Sequence, residues 1–121
     1  MRVLVCGSRA WPTKKMVHVV LDGLLAQYPD LEVISGMASG ADRHAAEWAE
    51  RHGCLIAFPA DWGTHGRAAG PIRNRQMLDA GRPDLVVAFS DNIATSVGTK
   101  DMATIAAQAG IPVYVIGRFS D

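Results

Sequence analysis

The sequence predicts an α/β protein of the three-layer, Rossmann-like kind, with a five-stranded parallel sheet flanked by four helices. Short apolar runs rich in Val, Ile and Leu alternate with longer stretches of helical spacing. The apolar runs lack the alternation of half-buried strands, which predicts a parallel sheet that is covered on both faces. The predicted strands are Val3–Cys6, Leu31–Ile34, Leu55–Phe58, Leu85–Phe89 and Val113–Ile116.

Each predicted helix has an apolar face and residues that are typical of helix ends. Thr13 is a predicted N-cap, Gly53 suits the position after the second helix, and Pro71 suits the first turn of the third. The one predicted long loop is Ala60–Gly70. Right-handed crossovers favour the strand order 3-2-1-4-5, in which the order reverses between strands 1 and 4. The predicted helices run from about Lys14 to Tyr28, Ala41 to His52, Pro71 to Gly81 and Thr99 to Gly110.

Length, charge and composition limit the class of protein. The 121 residues fit one domain over 1–121, and 49% hydrophobic with 20% charged residues is ordinary for a folded protein. Twelve basic residues balance twelve acidic ones, so nucleic acid is predicted to be an unlikely partner. No segment approaches about 18 apolar residues, and the first apolar run is too short for a signal peptide. We therefore expect a cytoplasmic protein that does not contact membranes.

The four histidines show no spacing typical of metal ligands, and no metal or cofactor is predicted. Cys6 and Cys54 are expected to be reduced, buried thiols, and the alternative is a disulfide or a metal-binding pair.

Candidate ligand contacts follow the strands, because ligands of open parallel sheets bind outside the carboxyl ends of the strands. The turn Ser35–Gly40 opens the second helix with two glycines and two serines, and Gly98-Thr99 repeats this arrangement at the fourth helix. Small residues let a backbone approach a ligand, and helix N-termini favour anions; the alternative is two ordinary tight turns. The candidate ligand-binding residues are Gly7, Ser8, Arg9, Trp11, Ser35, Gly36, Ser39, Gly40, Asp42, Asp61, Trp62, Arg73, Asn74, Met77, Gly98 and Thr99.

Several of these residues have two interpretations. Arg9 suits a bidentate phosphate contact or is a solvated loop arginine. Asp42 accepts from a ligand hydroxyl or complements the helix dipole. Trp11 and Trp62 are stacking platforms for a base or pack against their loops. The start of the third predicted helix, with Arg73, Asn74 and Met77, faces the site or belongs to an ordinary amphipathic helix.

The combination of these motifs resembles the SLOG superfamily of nucleotide-binding domains, and within it the small YspA-like branch found in bacteria and phages. The resemblance covers nearly the whole chain. Its marks are Gly7-Ser8-Arg9 with Trp11, Ser35-Gly36 with Gly40-Ala41-Asp42, Pro59-Ala60-Asp61-Trp62, Gly70-Pro71-Ile72-Arg73-Asn74 with Met77, and Gly98-Thr99 with Asp101-Met102.

The resemblance implies a domain that senses or sequesters a nucleotide or a nucleotide-derived ligand. The LOG enzymes of the superfamily hydrolyse nucleoside monophosphates to base and ribose phosphate, with an arginine and a glutamate. Arg73 matches the arginine, but Met102 stands in the place of the glutamate, and a thioether is not a general base. If there is catalysis, the candidates are Arg73, Asp42 and Asp101.

The resemblance to the LOG enzymes also implies a homodimer, for which Trp48, Ile72 and Met77 are predicted to supply apolar surface. The third interpretation is DNA binding like that of the DprA relatives, against which zero net charge and small size count.

Overall fold

A five-stranded parallel sheet forms the centre of the molecule. The computed structural model describes residues 1–117, and its strands are β1 (Arg2–Gly7), β2 (Glu32–Ser35), β3 (Leu55–Ala57), β4 (Leu85–Phe89) and β5 (Val113–Ile116). Their order is β3-β2-β1-β4-β5. Val3 in the central strand aligns with Val33 on one side and with Leu85 on the other. The predicted sheet order and strand direction are confirmed.

Four helices of 11 to 14 residues cover the two faces of the sheet. They are α1 (Lys14–Gln27), α2 (Ala41–Arg51), α4 (Ala69–Asp79) and α5 (Val97–Gln108). Alternate residues of β1 enter opposite cores, because successive side chains of a strand point to opposite faces. Val3 and Val5 pack with residues of α1 and α2, whereas Leu4 and Cys6 pack with residues of α4 and α5. The predicted three layers are therefore confirmed.

The segment Ala60–Gly70 differs from the predicted long loop because most of it is helical. The one-turn helix α3 (Trp62–His65) leads into a 3-10 turn (Gly66–Ala68), and α4 begins at Ala69, two residues before the predicted start. Asp61 starts this run, since its carboxylate accepts a hydrogen bond from the backbone N–H of Thr64 at 3.1 Å. Pro71 lies in the first turn of α4, where a missing N–H costs nothing.

Two of the three residues predicted to supply dimer surface are buried within the chain. Trp48 packs in the core beside α1 and donates to Asp22 at 2.8 Å, and Met77 packs in the core beside α5. They are 2% and 1% exposed, so neither provides surface for a partner. Among residues 1–117, no helix combines the length and the apolarity that crossing a membrane requires.

Candidate functional site

A cavity of about 490 Å³, here called the main cleft, lies beyond the carboxyl ends of β1 and β4. The strand order reverses between these two strands, and a crevice opens there because the chain connections diverge. Residues from the β1–α1 loop and from the first turns of α2, α4 and α5 surround it. Its lining residues are Cys6, Gly7, Ser8, Arg9, Ala10, Ala38, Asp42, Gly70, Pro71, Arg73, Asn74, Met77, Thr95, Ser96, Val97, Gly98, Thr99 and Asp101.

A second cavity of about 390 Å³ adjoins the main cleft, and we call it the Trp62 chamber. It lies between the β2–α2 turn and the segment that follows β3. Both cavities fall within the size range of small-molecule sites. The chamber is lined by Arg9, Gly36, Met37, Ala38, Ser39, Pro59, Ala60, Trp62 and Arg73.

The buried Arg73 side chain links three elements at the base of the two cavities. One of its terminal nitrogens, Nη1, donates to the Gly36 carbonyl, and Nε donates to Asn74 Oδ1 at 3.0 Å. The Asn74 amide in turn donates to Asp101 Oδ2 at 2.8 Å and to the Gly98 carbonyl at 3.2 Å. This network ties the β2–α2 turn to α4 and α5, so Arg73 has a structural role that its sequence position does not reveal.

One nitrogen of Arg73 remains for a ligand. Nη2 makes no hydrogen bond within residues 1–117. Nη2 is accessible to solvent, because every fully buried side-chain nitrogen or oxygen in residues 1–117 has a hydrogen-bond partner. Since Arg73 lines both cavities, this nitrogen lies where an anion in either of them is within reach.

At the glycines of the β2–α2 turn, the space that a side chain would fill is occupied by other parts of the protein and not by a ligand. A Cβ on Gly36 would lie 2.6 Å from Arg73 Nη1, and a Cβ on Gly40 would lie 2.2 Å from the carbonyl oxygen of Ser8. The Ser8 carbonyl also accepts from the N–H of Ala41, the first residue of α2. The β1–α1 loop therefore covers the N-terminus of α2, and the prediction that Gly40 lets a ligand approach the backbone is corrected.

The N-terminus of α5 is open to the main cleft. Ser96 occupies the N-cap position without a side-chain capping hydrogen bond, and the first N–H groups of a helix have no partner within the helix. Val97, Gly98 and Thr99 belong to this turn and line the cleft. The Val97 side chain is 82% exposed. Together with Arg9 and Arg73, this turn gives one side of the cleft a positive character.

Asp42 is a buried carboxyl group in the wall of the main cleft. Burial raises its pKa to about 6, against the smaller opposing effects of Arg73, of the Ala38 N–H and of Arg9. The Ala38 N–H donates to Asp42 Oδ2 at 3.4 Å. A carboxyl group that titrates near neutral pH beside two arginines is typical of a functional site.

We expect Asp42→Asn to change the pH dependence of stability. The pKa of Asp42 is higher in the folded chain than its ordinary value of 3.8, so the folded state holds this proton more tightly than the unfolded state does. The stabilisation is complete below about pH 4 and is lost as pH rises through about 6. Over that window the free energy of unfolding of the wild type should fall by about 2–3 kcal/mol relative to the variant.

Urea unfolding of both proteins between pH 4 and pH 7.5 measures this difference. Asp79→Asn is the control, because Asp79 is exposed at the end of α4. Parallel stability curves for the wild type and Asp42→Asn would contradict the assignment.

The first turns of α5 place Asp101, and not Met102, at the cleft. Asp101 lines the cavity and accepts from Asn74. Met102 is 1% exposed and packs in the core with Leu4 and Met77. Position 102 therefore faces this core, whereas the neighbouring Asp101 faces the cleft.

The structure brings most of the candidate ligand contacts to these two cavities but leaves four outside them. The ring of Trp11 is 3% exposed and packs against Phe89 at 5.7 Å between ring centroids, so it is not a stacking platform. Ser35 is buried and donates to the carbonyl of Asp42 at 2.9 Å. Gly40 lies beneath the β1–α1 loop, and Asp61 caps α3. Contact of the remaining residues with a ligand stays a prediction.

Several residues that line the main cleft are not among the candidate ligand contacts predicted from the sequence. Thr95 and Ser96 belong to a 3-10 turn, Ile93–Thr95, and to the N-cap of α5, which follow β4. Their position after a strand is the signal that would have identified them. Ala38 and Gly70 also line the cavities. Both are small residues without a functional group that would have identified them in the sequence.

The family model of the YspA, cpYpsA-related SLOG family matches residues 1–65. The Gene 61 protein of Mycobacterium phage D29 is 39% identical in an alignment 123 residues long that covers 96% of this chain and 96% of that protein. DNA processing protein A from Helicobacter pylori, studied for its single-stranded DNA binding mode, is similar in structure with a TM-score of 0.65 and 20% identity. The match covers 95% of this chain and 64% of that one.

These comparisons correct one prediction. Zero net charge led us to expect that nucleic acid is an unlikely partner, and that expectation is wrong, because a protein that shares this fold binds single-stranded DNA. Net charge averages over the whole surface, whereas Arg9 and Arg73 place two positive charges in the lining of the Trp62 chamber. The match to the family model and the identity to the phage protein show that the chain belongs to the YspA, cpYpsA-related SLOG family.

Proposed function

We propose that this domain binds a nucleotide in the main cleft and holds the phosphate between Arg9, Arg73 and the first turn of α5. The observation that carries the proposal is the convergence of two arginines and an uncapped helix N-terminus on one cavity. Arginine nitrogens and free N–H groups at a helix N-terminus are both preferred partners of phosphate oxygens.

The rest of the cleft suits the sugar of a nucleotide. Asp42 and Asp101 line it from opposite elements, α2 and α5. Their carboxylate oxygens accept hydrogen bonds from hydroxyl groups. A cleft that contains both cationic donors and carboxylate acceptors suits a ligand with an anionic part and a hydroxylated part, which describes a nucleotide better than it describes inorganic phosphate.

Calorimetric titration of the protein with a panel of nucleoside monophosphates tests this proposal. We expect Arg9→Ala to weaken binding by about 10- to 100-fold, because a charge-assisted hydrogen bond is lost. Arg9 is the better probe of binding, since its side chain is exposed and its removal leaves the Arg73 network intact. Arg75→Ala is the matched control, because Arg75 is exposed on α4 and lines neither cavity.

Two results would count against the proposal. One is the absence of binding across the panel at millimolar nucleotide, and the other is equal affinity of the wild type and Arg9→Ala. The same samples should be assayed for released base. Rapid release that is abolished by Asp42→Asn or Asp101→Asn would assign hydrolysis to the cleft instead of binding alone.

Single-stranded nucleic acid is a second candidate ligand, and the exposed pair Arg9 and Trp62 favours it. The Arg9 guanidinium carbon lies 5.9 Å from the centre of the Trp62 ring, within cation–π range. Proteins that bind single strands combine cations for the backbone with aromatic rings for the bases. The fold shared with DNA processing protein A also supports this candidate. Fluorescence anisotropy of a labelled ten-nucleotide DNA strand at two salt concentrations tests it, since phosphate contacts make affinity fall with salt.

A further inference from the structure

We infer that the Trp62 chamber binds a second planar ring, so that the preferred ligand of this domain has two nucleoside units joined through phosphate. The inference rests on the proposed function, because it adds a subsite to the nucleotide site in the main cleft. It also specifies the ligand, since a mononucleotide in the main cleft leaves the chamber without a ring.

The two cavities are contiguous through a cationic boundary. Arg9, Ala38 and Arg73 line both of them. A phosphate at this boundary lies within reach of Arg9 and of Nη2 of Arg73, and the small Ala38 side chain leaves space beside it. The two substituents of a phosphodiester then extend in different directions, one into the main cleft and the other into the chamber.

The Trp62 ring gives the chamber a stacking surface. It is 50% exposed, whereas Trp11 and Trp48 are 3% and 2% exposed. An aromatic ring stacks on bases of any sequence, because every base has a π face. Asp61 caps the turn that holds the ring, and the ring edge lies beside Gly70, 3.5 Å from the position that a Cβ would take there.

The turn from Gly36 to Ser39 forms another part of the chamber wall. Met37 has a left-handed backbone with φ of 63°, and its N–H donates to Ser35 Oγ at 3.1 Å. A non-glycine residue in this conformation is typical of binding sites. Pro59 and Ala60 complete the chamber with small apolar surfaces.

Two sources provide this ligand chemistry: a free dinucleotide and a single-stranded nucleic acid. Both place a base, a phosphodiester and a second base in sequence. The experiment therefore needs one comparison that detects the second ring and another that separates the two sources.

The first comparison uses probes that differ only in the second nucleoside. Adenosine 5′-methylphosphate and ApA both contain a phosphodiester with one negative charge, and the thymidine pair, thymidine 5′-methylphosphate and dTpdT, tests the other base class. We expect the dinucleotide to bind about 5- to 100-fold more tightly than its methyl ester, the gain from stacking one base on an aromatic ring. Trp62→Ala should abolish this ratio, and Trp62→Phe should restore most of it.

Tryptophan fluorescence provides an independent measurement. Because Trp11 and Trp48 are buried, quenching by acrylamide reports mainly on Trp62, and the dinucleotide should protect it whereas the methyl ester should not. Tyr114→Ala is the control for loss of an exposed aromatic side chain, since Tyr114 is 61% exposed on β5 and lines neither cavity.

The possible results distinguish a failure of this inference from a failure of the proposed function. If the methyl esters bind but the dinucleotides bind no more tightly, the inference is wrong and the proposed function stands. A dinucleotide advantage that persists in Trp62→Ala also overturns it. If none of the four probes binds, the inference is wrong, and the proposed function fails with it only if the nucleoside monophosphates do not bind either. A ten-nucleotide strand that binds much more tightly than dTpdT identifies nucleic acid as the source, and equal affinity identifies a free dinucleotide.

Discussion

Replacing Gly40 by valine should lower the free energy of unfolding by about 4 kcal/mol, most of the stability of a small domain. The residue has φ of 76°, a conformation that a β-branched side chain rarely adopts. Its Cβ would also lie 2.2 Å from the Ser8 carbonyl oxygen and 2.6 Å from the Arg9 carbonyl carbon. Both neighbours are backbone atoms, so the β1–α1 loop would have to move away from α2.

Gly53→Val is the matched control for this effect. Gly53 also has positive φ, 68°, but within residues 1–117 no atom beyond its two chain neighbours lies within 4 Å of the position that a Cβ would take. The free energy of unfolding of Gly53→Val should fall by only about 1–2 kcal/mol, because the strained backbone conformation is its only cost. Urea unfolding at neutral pH measures both losses. Equal losses for Gly40→Val and Gly53→Val would show that contact between the loop and α2 contributes little to stability.

The contrast between these glycines explains what sequence patterns predict and what they do not. The sheet order was predictable because each strand is a local apolar run and because crossovers have one hand. The role of Gly40 was not, because it depends on Ser8 and Arg9, which lie more than 30 residues earlier in the chain. A glycine that admits a ligand and a glycine that admits another segment of the chain look the same in a sequence.

The two tryptophans that follow strands give a second example. Trp11 and Trp62 both come shortly after predicted strands, and both were candidate stacking platforms. Trp11 is buried against Phe89 of β4, whereas Trp62 lies on the short helix α3 and remains half exposed. Their difference arises from tertiary packing at the sheet edge and not from the residues next to them.

Helix register limited the prediction about catalysis. The sequence resemblance aligned Met102 with a catalytic glutamate and left Asp42 and Asp101 as candidate carboxylates away from that position. In the structure the neighbouring Asp101 lines the cleft, and Asp42 contributes a second carboxyl group with a pKa of about 6. A rotation of about 100° per residue around a helix separates the core from the cleft, and an alignment without coordinates does not decide which residue faces which.

Replacing Arg73 by methionine should lower the free energy of unfolding by about 3 kcal/mol, because buried acceptors lose a charged donor. The carbonyl of Gly36 and Oδ1 of Asn74 would both lose their hydrogen bonds to Arg73. The pKa of Asp42 should also rise further, since the Arg73 charge lowers it in the wild type. The loss of stability with rising pH should then extend above pH 6.

A lysine at position 73 separates the two roles of the arginine. Arg73→Lys keeps the positive charge near Asp42 but lacks the planar fork that reaches Gly36 and Asn74 together. We expect it to be destabilised nearly as much as Arg73→Met while its pH dependence stays close to that of the wild type. Arg75→Met is the surface control, because Arg75 is exposed on the same helix. If Arg73→Met is as stable as this control at neutral pH, Arg73 is not the structural link between α4 and the β2–α2 turn, and its loss can be used as a direct test of ligand binding.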